Sequence, residues 1–163
     1  MIDSAARVVL IGIGNPFRSD DAVGPAVVRL VRRHLSLPVT CLEETGDGVE
    51  LLSAWKTAPA AVLVVAVHSG AEPGSIHRFD AHQGKLPAWF SHSSTNTFGV
   101  SEAIELARSN SDLPPRLIVF AVEGLNFCPG TELSLEVAEV VSEVGARVLQ
   151  ELRSLTATAP LQA

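Results

Sequence analysis

Three short apolar stretches constrain the fold of this sequence more than any other feature. They are Val8–Ile13, Ala60–Val67 and residues 117–122. Each is rich in Val and Ile and lacks the alternation of apolar and polar residues that is typical of a strand with one solvated face. Continuous β-branched runs of this length are typical of strands buried on both faces, as in a parallel sheet. Weaker strands are predicted over residues 39–42 and 75–79.

Stretches with helical periodicity separate the predicted strands. The first places Val23, Val27 and Val31 on one face, and others cover residues 49–55, 100–106 and 135–152, the last with Ser134 as its expected N-cap. Strands alternating with helices predict an α/β fold, a three-layer α/β/α sandwich with a mostly parallel, twisted sheet. We expect residues 1–155 to form a single domain and residues 156–163 to be a disordered tail.

Composition and charge exclude several classes of protein. The 163 residues are 47% hydrophobic, which excludes a largely disordered chain. Twelve basic and 18 acidic residues give a net charge of −6, which argues against a nucleic-acid partner. The apolar stretch Ala60–Val67 is too short to span a bilayer, and Asp3 does not fit a signal peptide. Two cysteines, Cys41 and Cys128, cannot build a disulfide scaffold. Taken together, these features predict a cytoplasmic domain with no membrane partner.

The turn after the first strand is the first candidate site, because ligands of open α/β sheets bind at the carboxyl ends of strands. Gly12 and Gly14 match part of a dinucleotide fingerprint, but Phe17 stands where the third glycine is required. Asp20 and Asp21 follow at once and would repel a phosphate, so no nucleotide cofactor is predicted. The acidic pair leaves two alternatives open, which are helix capping and an oxygen ligand for a metal.

Further motifs follow in a definite order along the chain. After Gly-Ile-Gly-Asn at residues 12–15 come Asp-Asp-x-x-Gly at 20–24, a Gly-Val-Glu-Leu-Leu helix at 48–52, Ser-Gly-x-x-Pro-Gly at 69–74, Thr-Phe-Gly-Val at 97–100, Glu-Gly at 123–124 and Leu-Ser at 133–134. In this order they resemble the hydrogenase maturation endopeptidases through nearly the whole chain.

The resemblance implies an endopeptidase that removes a short C-terminal extension from the large-subunit precursor of a nickel-iron hydrogenase. Nickel carried by the substrate would be the recognition element, and three residues of the protease would contact metal. The acidic position of this triad falls on Asp21, but the aspartate position falls on Val65 and the histidine position on Asn96. Valine cannot ligate a metal, and an amide oxygen is a weak ligand for nickel. Asp21 and Asn96 are the predicted catalytic residues.

Two histidines are candidates for the missing ligands. His68 follows the third strand, and His92 precedes Asn96 in a long loop. Imidazole binds nickel well, although either ring could equally be an exposed loop residue. The predicted metal-binding set is Asp21, His68 and Asn96, with His92 as the alternative to Asn96. The predicted substrate contacts are Gly14, Asn15, Asp20, Glu44 and Ser69.

Two functions stay open on these residues. The first is the processing protease, and the second is a pseudo-protease that binds a hydrogenase precursor or another partner without cleaving it, because Val65 and Asn96 depart from the motif. The loop over residues 80–97 is long enough to be functional. Within it, Trp89 and Phe90 are expected to anchor the loop on the sheet, or else to bind a partner.

Overall fold

The computed structural model describes residues 7–91 and 97–158. Five strands form one sheet: β1 (Val8–Ile13), β2 (Val39–Glu44), β3 (Ala60–Val67), β4 (Ile76–Asp80) and β5 (Arg116–Glu123). The helices are α1 (Val23–His34), α2 (Gly48–Trp55), α3 (Ala88–Ser91), α4 (Val100–Ser109), α5 (Leu135–Ala138) and α6 (Val141–Thr158), and a 3-10 helix, Ser19–Ala22, precedes α1.

The sheet has the strand order β2-β1-β3-β5-β4. β1, β2, β3 and β5 are parallel, and β4 pairs antiparallel with β5 at one edge. Each predicted strand lies within two residues of an observed one. The predicted three-layer α/β sandwich with a mostly parallel sheet is therefore confirmed.

Two apolar cores cover the two faces of the sheet. Alternate side chains of β3 belong to different cores, with Val62 and Val64 on one side and Leu63 and Val65 on the other. The helices α1, α5 and α6 cover the first face, while α2, α3 and α4 cover the second. All eight residues of β3 are buried, which explains the continuous apolar run in the sequence.

The strand order changes direction at β1, because β2 is added on one side of β1 and β3 on the other. The connection through α1 leads from β1 to β2 on one side, and the connection through α2 leads back past β1 to β3 on the other. Because these two connections cover opposite faces, a crevice opens between the carboxyl ends of β1 and β3. The fold therefore favours a ligand site at this point.

Two glycines let α1 pack directly on the sheet. A Cβ atom on Gly12 would lie 2.5 Å from the carbonyl oxygen of Gly24, and a Cβ atom on Gly24 would lie 2.5 Å from the carbonyl oxygens of Ile13 and Val64. Only glycine permits both approaches. The 3-10 helix before α1 consequently contacts β3, which brings Asp21 to the crevice.

The long loop after β4 is anchored by its aromatic residues. Phe90 is 4% exposed in the core beneath α4, and its ring meets Phe79 of β4 at 6.2 Å between centroids. Trp89 is half-buried and packs on Phe79 and His77. These contacts confirm the anchoring prediction for both aromatic residues.

The C-terminal helical region differs from the prediction of one helix over residues 135–152. The helix is interrupted after Ala138 and resumes at Val141. It then continues through Thr158, three residues into the segment expected to be a disordered tail. The Thr156 hydroxyl donates to the carbonyl oxygen of Leu152, and Leu155 is buried in the core. Across the described ranges, no helix combines the length and the apolar character needed to cross a membrane.

Candidate active site

A pocket lies at the crevice between β1 and β3. Its walls come from the ends of the first three strands, the residues before α1, helix α3 and the first turn of α4, and they include Gly14, Arg18, Asp21, Thr45, Gly46, Val65, Ala66, Phe90, Ser91, Val100, Ser101 and Glu102. Segments far apart in the sequence meet here because the carboxyl ends of parallel strands share one edge of the sheet. The pocket is thus the candidate active site.

Asp21 presents its carboxylate to this pocket in a fixed orientation. Its Oδ2 atom accepts a hydrogen bond of 2.9 Å from the backbone N–H of Asn15 and lies 3.4 Å from the Arg18 guanidinium. The side chain is 18% exposed. Among the residues that the structure describes, both contacts use Oδ2. A ligand in the pocket can therefore meet Oδ1 without breaking either of them.

Gly14 makes this position of Asp21 possible. Its φ of +146° lies outside the range that side-chain-bearing residues readily adopt, and a Cβ atom there would lie 1.9 Å from the carbonyl oxygen of Asp21. Its own N–H donates to the carbonyl oxygen of Glu44, at 2.9 Å. Gly14 and Asn15 therefore lie beside Asp21, and Glu44 contacts Gly14 through its backbone carbonyl.

The Glu44 carboxyl has altered acidity at this edge. Burial raises the pKa of Glu44, and the negative charge of Glu50 on α2 raises that pKa further. A carboxyl with a raised pKa holds its proton at higher pH than an ordinary glutamate, and can donate a hydrogen bond when protonated. Glu44 stays a predicted substrate contact.

Asp20 does not belong to the pocket, so its prediction as a substrate contact is wrong. The residue is 0% exposed. Its carboxylate accepts from the backbone N–H groups of Leu125, Asn126 and Ser134 at 2.8, 2.9 and 2.7 Å, and from the Ser134 hydroxyl at 2.9 Å. Burial by itself would raise the pKa of Asp20, but these hydrogen bonds outweigh it and hold the pKa below its ordinary value. Asp20 anchors the segment after β5.

Ser69 is likewise committed to the structure. Its N–H and its hydroxyl both donate to the Glu123 carboxylate, each at 2.6 Å, and Glu123 is 0% exposed. The Nε2 atom of His77 lies 3.3 Å from the same carboxylate. Ser69 therefore holds the turn after β3 against β5, and its role as a substrate contact stays a prediction.

Arg18 is a charged pocket residue that the sequence interpretation missed. Its guanidinium lines the pocket beside Asp21 and lies 5.3 Å from the ring centroid of Phe127. The spacing of three residues between Arg18 and Asp21 was the available signal, since such pairs meet across one turn of a helix. No local pattern could have shown Phe127, which reaches Arg18 from the segment after β5.

Comparison with known proteins identifies the family. The sequence model of the hydrogenase maturation proteases matches residues 25–151. The chain belongs to the hydrogenase maturation protease family. The hydrogenase 2 maturation protease of Escherichia coli (strain K12) is 24% identical over 151 residues, covering 90% of this chain and 91% of that protein. The hydrogenase expression/formation protein HupD of Thiocapsa roseopersicina is 26% identical over 122 residues, which is 74% of this chain but 55% of that protein's length. The chain thus spans about half of the second relative.

Solved structures of hydrogenase maturation proteases share the fold. The hydrogenase maturating endopeptidase HybD from E. coli superimposes with a TM-score of 0.80 at 23% identity, covering 91% of this chain and 93% of that one. The [NiFe] hydrogenase maturation protease HycI from Thermococcus kodakarensis KOD1 gives a TM-score of 0.67 at 22% identity, with the same coverage. These structures confirm the fold. The family match confirms the predicted family and the peptidase class, and the pseudo-protease is the less favoured alternative.

The metal-binding prediction for this hydrogenase maturation protease rests in part on residues outside the described ranges. Asn96 and His92 both lie there. His68 is exposed just after β3, and its ring packs edge-on against Phe127 at 6.0 Å. Val65, at the position where the resemblance implies an aspartate, is 8% exposed and gives the pocket an apolar wall. The ligand set stays a prediction.

The donor set of the described residues does not fit a resident metal ion. Over residues 7–91 and 97–158, no three His, Cys, Asp or Glu side chains form a cluster that could hold one. A cation beside Asp21 would find an aliphatic group at Val65 and a guanidinium at Arg18. Neither group donates electrons to a metal. This part of the pocket is therefore built around a carboxylate and a fixed positive charge.

Proposed function

We propose that the protein is an aspartic-type endopeptidase of the cytoplasm that removes the C-terminal extension from a nickel-loaded [NiFe]-hydrogenase large-subunit precursor. The observation that carries this proposal is the carboxylate of Asp21, held in a pocket at the crevice of a hydrogenase maturation protease fold. Family membership supports the peptidase activity. The identity of the substrate and the role of nickel come from the resemblance of the motifs.

Asp21, which is predicted to be catalytic together with Asn96, is the base in this proposal. Its Oδ1 atom takes a proton from a water molecule while the water oxygen attacks the carbonyl carbon of the scissile peptide bond. When the C–N bond breaks, the same proton passes to the leaving amine, so that the products are a new carboxyl terminus and a free peptide. The hydrogen bond from Asn15 and the ion pair with Arg18 keep the carboxylate in one orientation throughout.

The rim of the pocket would hold the precursor chain. Gly14, Asn15 and Glu44 are the proposed substrate contacts, because Asn15 binds Asp21 directly and Gly14 joins it to the end of β2 through the Glu44 carbonyl oxygen. Nickel enters as part of the precursor, and Asp21, His68 and Asn96 are the proposed contacts to it. A nickel ion that arrives with its own ligands needs fewer ligands from the protease than a resident ion does. This explains how Val65 can stand at a ligand position.

The direct test is the mass of a nickel-loaded precursor after incubation with the purified protein. We expect loss of one discrete C-terminal fragment. Asp21→Asn should abolish it, whereas Asp112→Asn, at an exposed position outside the pocket, should leave it unchanged. A precursor that forms a complex but keeps its mass would refute the protease and establish the pseudo-protease. Equal cleavage by Asp21→Asn and wild type would refute the role of Asp21.

A further inference from the structure

The ion pair between Arg18 and Asp21 is the least expected feature of the pocket. A site that must accept a metal cation has a guanidinium 3.4 Å from its carboxylate. The pair is partly buried, since the Arg18 side chain is 30% exposed and the Asp21 side chain 18% exposed. An ion pair in such surroundings is screened less than a pair at the open surface.

Both the backbone and the guanidinium of Arg18 make fixed contacts. The backbone N–H of Arg18 donates to the carbonyl oxygen of Asn15, and the same backbone forms an isolated parallel bridge with Gly130. The ring of Phe127 lies beneath the guanidinium at 5.3 Å, a distance at which a cation and an aromatic ring attract one another. Gly130 and Phe127 belong to the segment that Asp20 anchors. Arg18 is therefore a built part of the pocket and not a loose surface side chain.

A divalent cation that approaches Asp21 meets this positive charge at once. The cation must either displace the guanidinium from Oδ2 or bind at Oδ1 a few ångströms from it, and both alternatives cost free energy. Val65 on the neighbouring wall is aliphatic and cannot compensate, and Glu102, a second acidic residue of the pocket, already accepts a hydrogen bond of 2.9 Å from the backbone N–H of Gly99. A free metal ion in solution brings only water ligands and gains little from such a site.

We infer that Arg18 is a specificity-determining residue that keeps free divalent metal ions off the Asp21 carboxylate. The inference rests on the proposed function and deepens it: the pocket admits nickel only in a precursor that supplies the other ligands and a docked protein surface. Arg18 supplies the positive charge next to Asp21 in the free protein. The carboxylate then stays available for the precursor in the presence of free nickel.

The test is the affinity of the isolated protein for free Ni²⁺ and for free Cd²⁺, measured by titration calorimetry without precursor. Arg18→Gln removes the positive charge and should raise the affinity about three- to tenfold. Arg18→Lys keeps the charge and should change it less than twofold. The matched control is Arg78→Gln, which breaks an ion pair with Glu151 on a different part of the surface and should change nothing. Circular dichroism checks that each variant is folded.

The double variant assigns the gain to the carboxylate. If Arg18 acts through Asp21, then Arg18→Gln in an Asp21→Asn background should bring no increase in affinity. An unchanged or lower affinity in Arg18→Gln, or the same increase with and without Asp21, would overturn the inference. The cleavage assay above is independent of this result, because Asp21 can be catalytic whether or not Arg18 excludes free metal. Failure of the inference and failure of the proposed function are thus distinguishable.

Discussion

Substitution of Asp20 by Asn tests how much this buried carboxylate contributes to the stability of the fold. The native oxygens accept four hydrogen bonds, three from backbone N–H groups and one from the Ser134 hydroxyl. If the amide oxygen takes the place of Oδ2, the amide N–H₂ must face the N–H of Ser134, which lies 2.7 Å from Oδ1. One donor is then left facing another donor, and the remaining bonds lose their charge-assisted strength.

This arrangement leads to a sizeable expected loss of stability. A buried donor without a partner costs about 1–3 kcal/mol, and weakening of the other three bonds adds about 1 kcal/mol. We therefore expect Asp20→Asn to lower the free energy of unfolding by about 2–4 kcal/mol. With a urea dependence of about 2 kcal/mol per molar for a chain of this size, the unfolding midpoint should fall by about 1–2 M.

The assay is urea unfolding followed by circular dichroism at pH 7. The matched control is Asp112→Asn, the same chemical change at an exposed aspartate, which should stay within about 0.5 kcal/mol of wild type. A loss in Asp20→Asn no larger than in this control would refute the reasoning, because the carboxylate would then contribute no more than an exposed one.

The same residue predicts how stability depends on pH. Hydrogen bonds hold the pKa of Asp20 below its ordinary value despite burial, so the unfolded chain takes up the proton first as the pH falls. The contribution of Asp20 is complete above about pH 3.9, the ordinary aspartate value, and is lost as the pH falls through the folded-state value. Below pH 3.9 the difference between wild type and Asp20→Asn should therefore shrink. A difference that stays constant in unfolding experiments between pH 7 and pH 2.5 would contradict this.

Three further substitutions test other parts of the structure. Phe90→Ala should lower the free energy of unfolding in urea by about 3–5 kcal/mol. The control Leu135→Ala, at a residue that is 70% exposed, should cost under about 0.5 kcal/mol. Equal losses would refute the anchoring of the loop. Glu123→Gln should lower the free energy of unfolding by about 1 kcal/mol in thermal unfolding, because the two bonds from Ser69 lose their charge-assisted strength; an unchanged stability would contradict this. Gly14→Ala should both destabilise the protein and abolish cleavage of the precursor, since its Cβ atom would displace Asp21; a fully active, stable variant would disprove the close approach.

Much of the fold was predictable because its signals are local. The β-branched runs of β1, β3 and β5 are buried on both faces, and a chain that alternates such strands with amphipathic helices has few ways to bury them. The break between α5 and α6 was not predictable, because the apolar periodicity continues across it. The Ser134 hydroxyl shows the same limit: it was expected to cap the last helix but donates to Asp20 instead.

The candidate site was likewise predictable only where its signals are local in the sequence. The motif around Gly14 and Asp21 indicated the right edge of the sheet, since a turn at the carboxyl end of the first strand is a local feature. The partners of Ser69 and Arg18 could not be predicted, because Glu123 and Phe127 reach them from segments distant in the sequence. A polar side chain in a turn has the same appearance in a sequence whether it contacts a substrate or a buried carboxylate.

Asp20 and Asp21 show most clearly what the sequence determined and what it left to the tertiary structure. The sequence by itself placed two carboxylates after the first strand and gave either one the chemistry for the site. Only the folded chain separated them, because successive residues of the 3-10 helix point in different directions. Asp20 points inward to N–H groups more than one hundred residues away in the sequence, and Asp21 points to the pocket. Their roles follow from what each carboxylate faces after folding, and two identical neighbouring side chains carry no information on that.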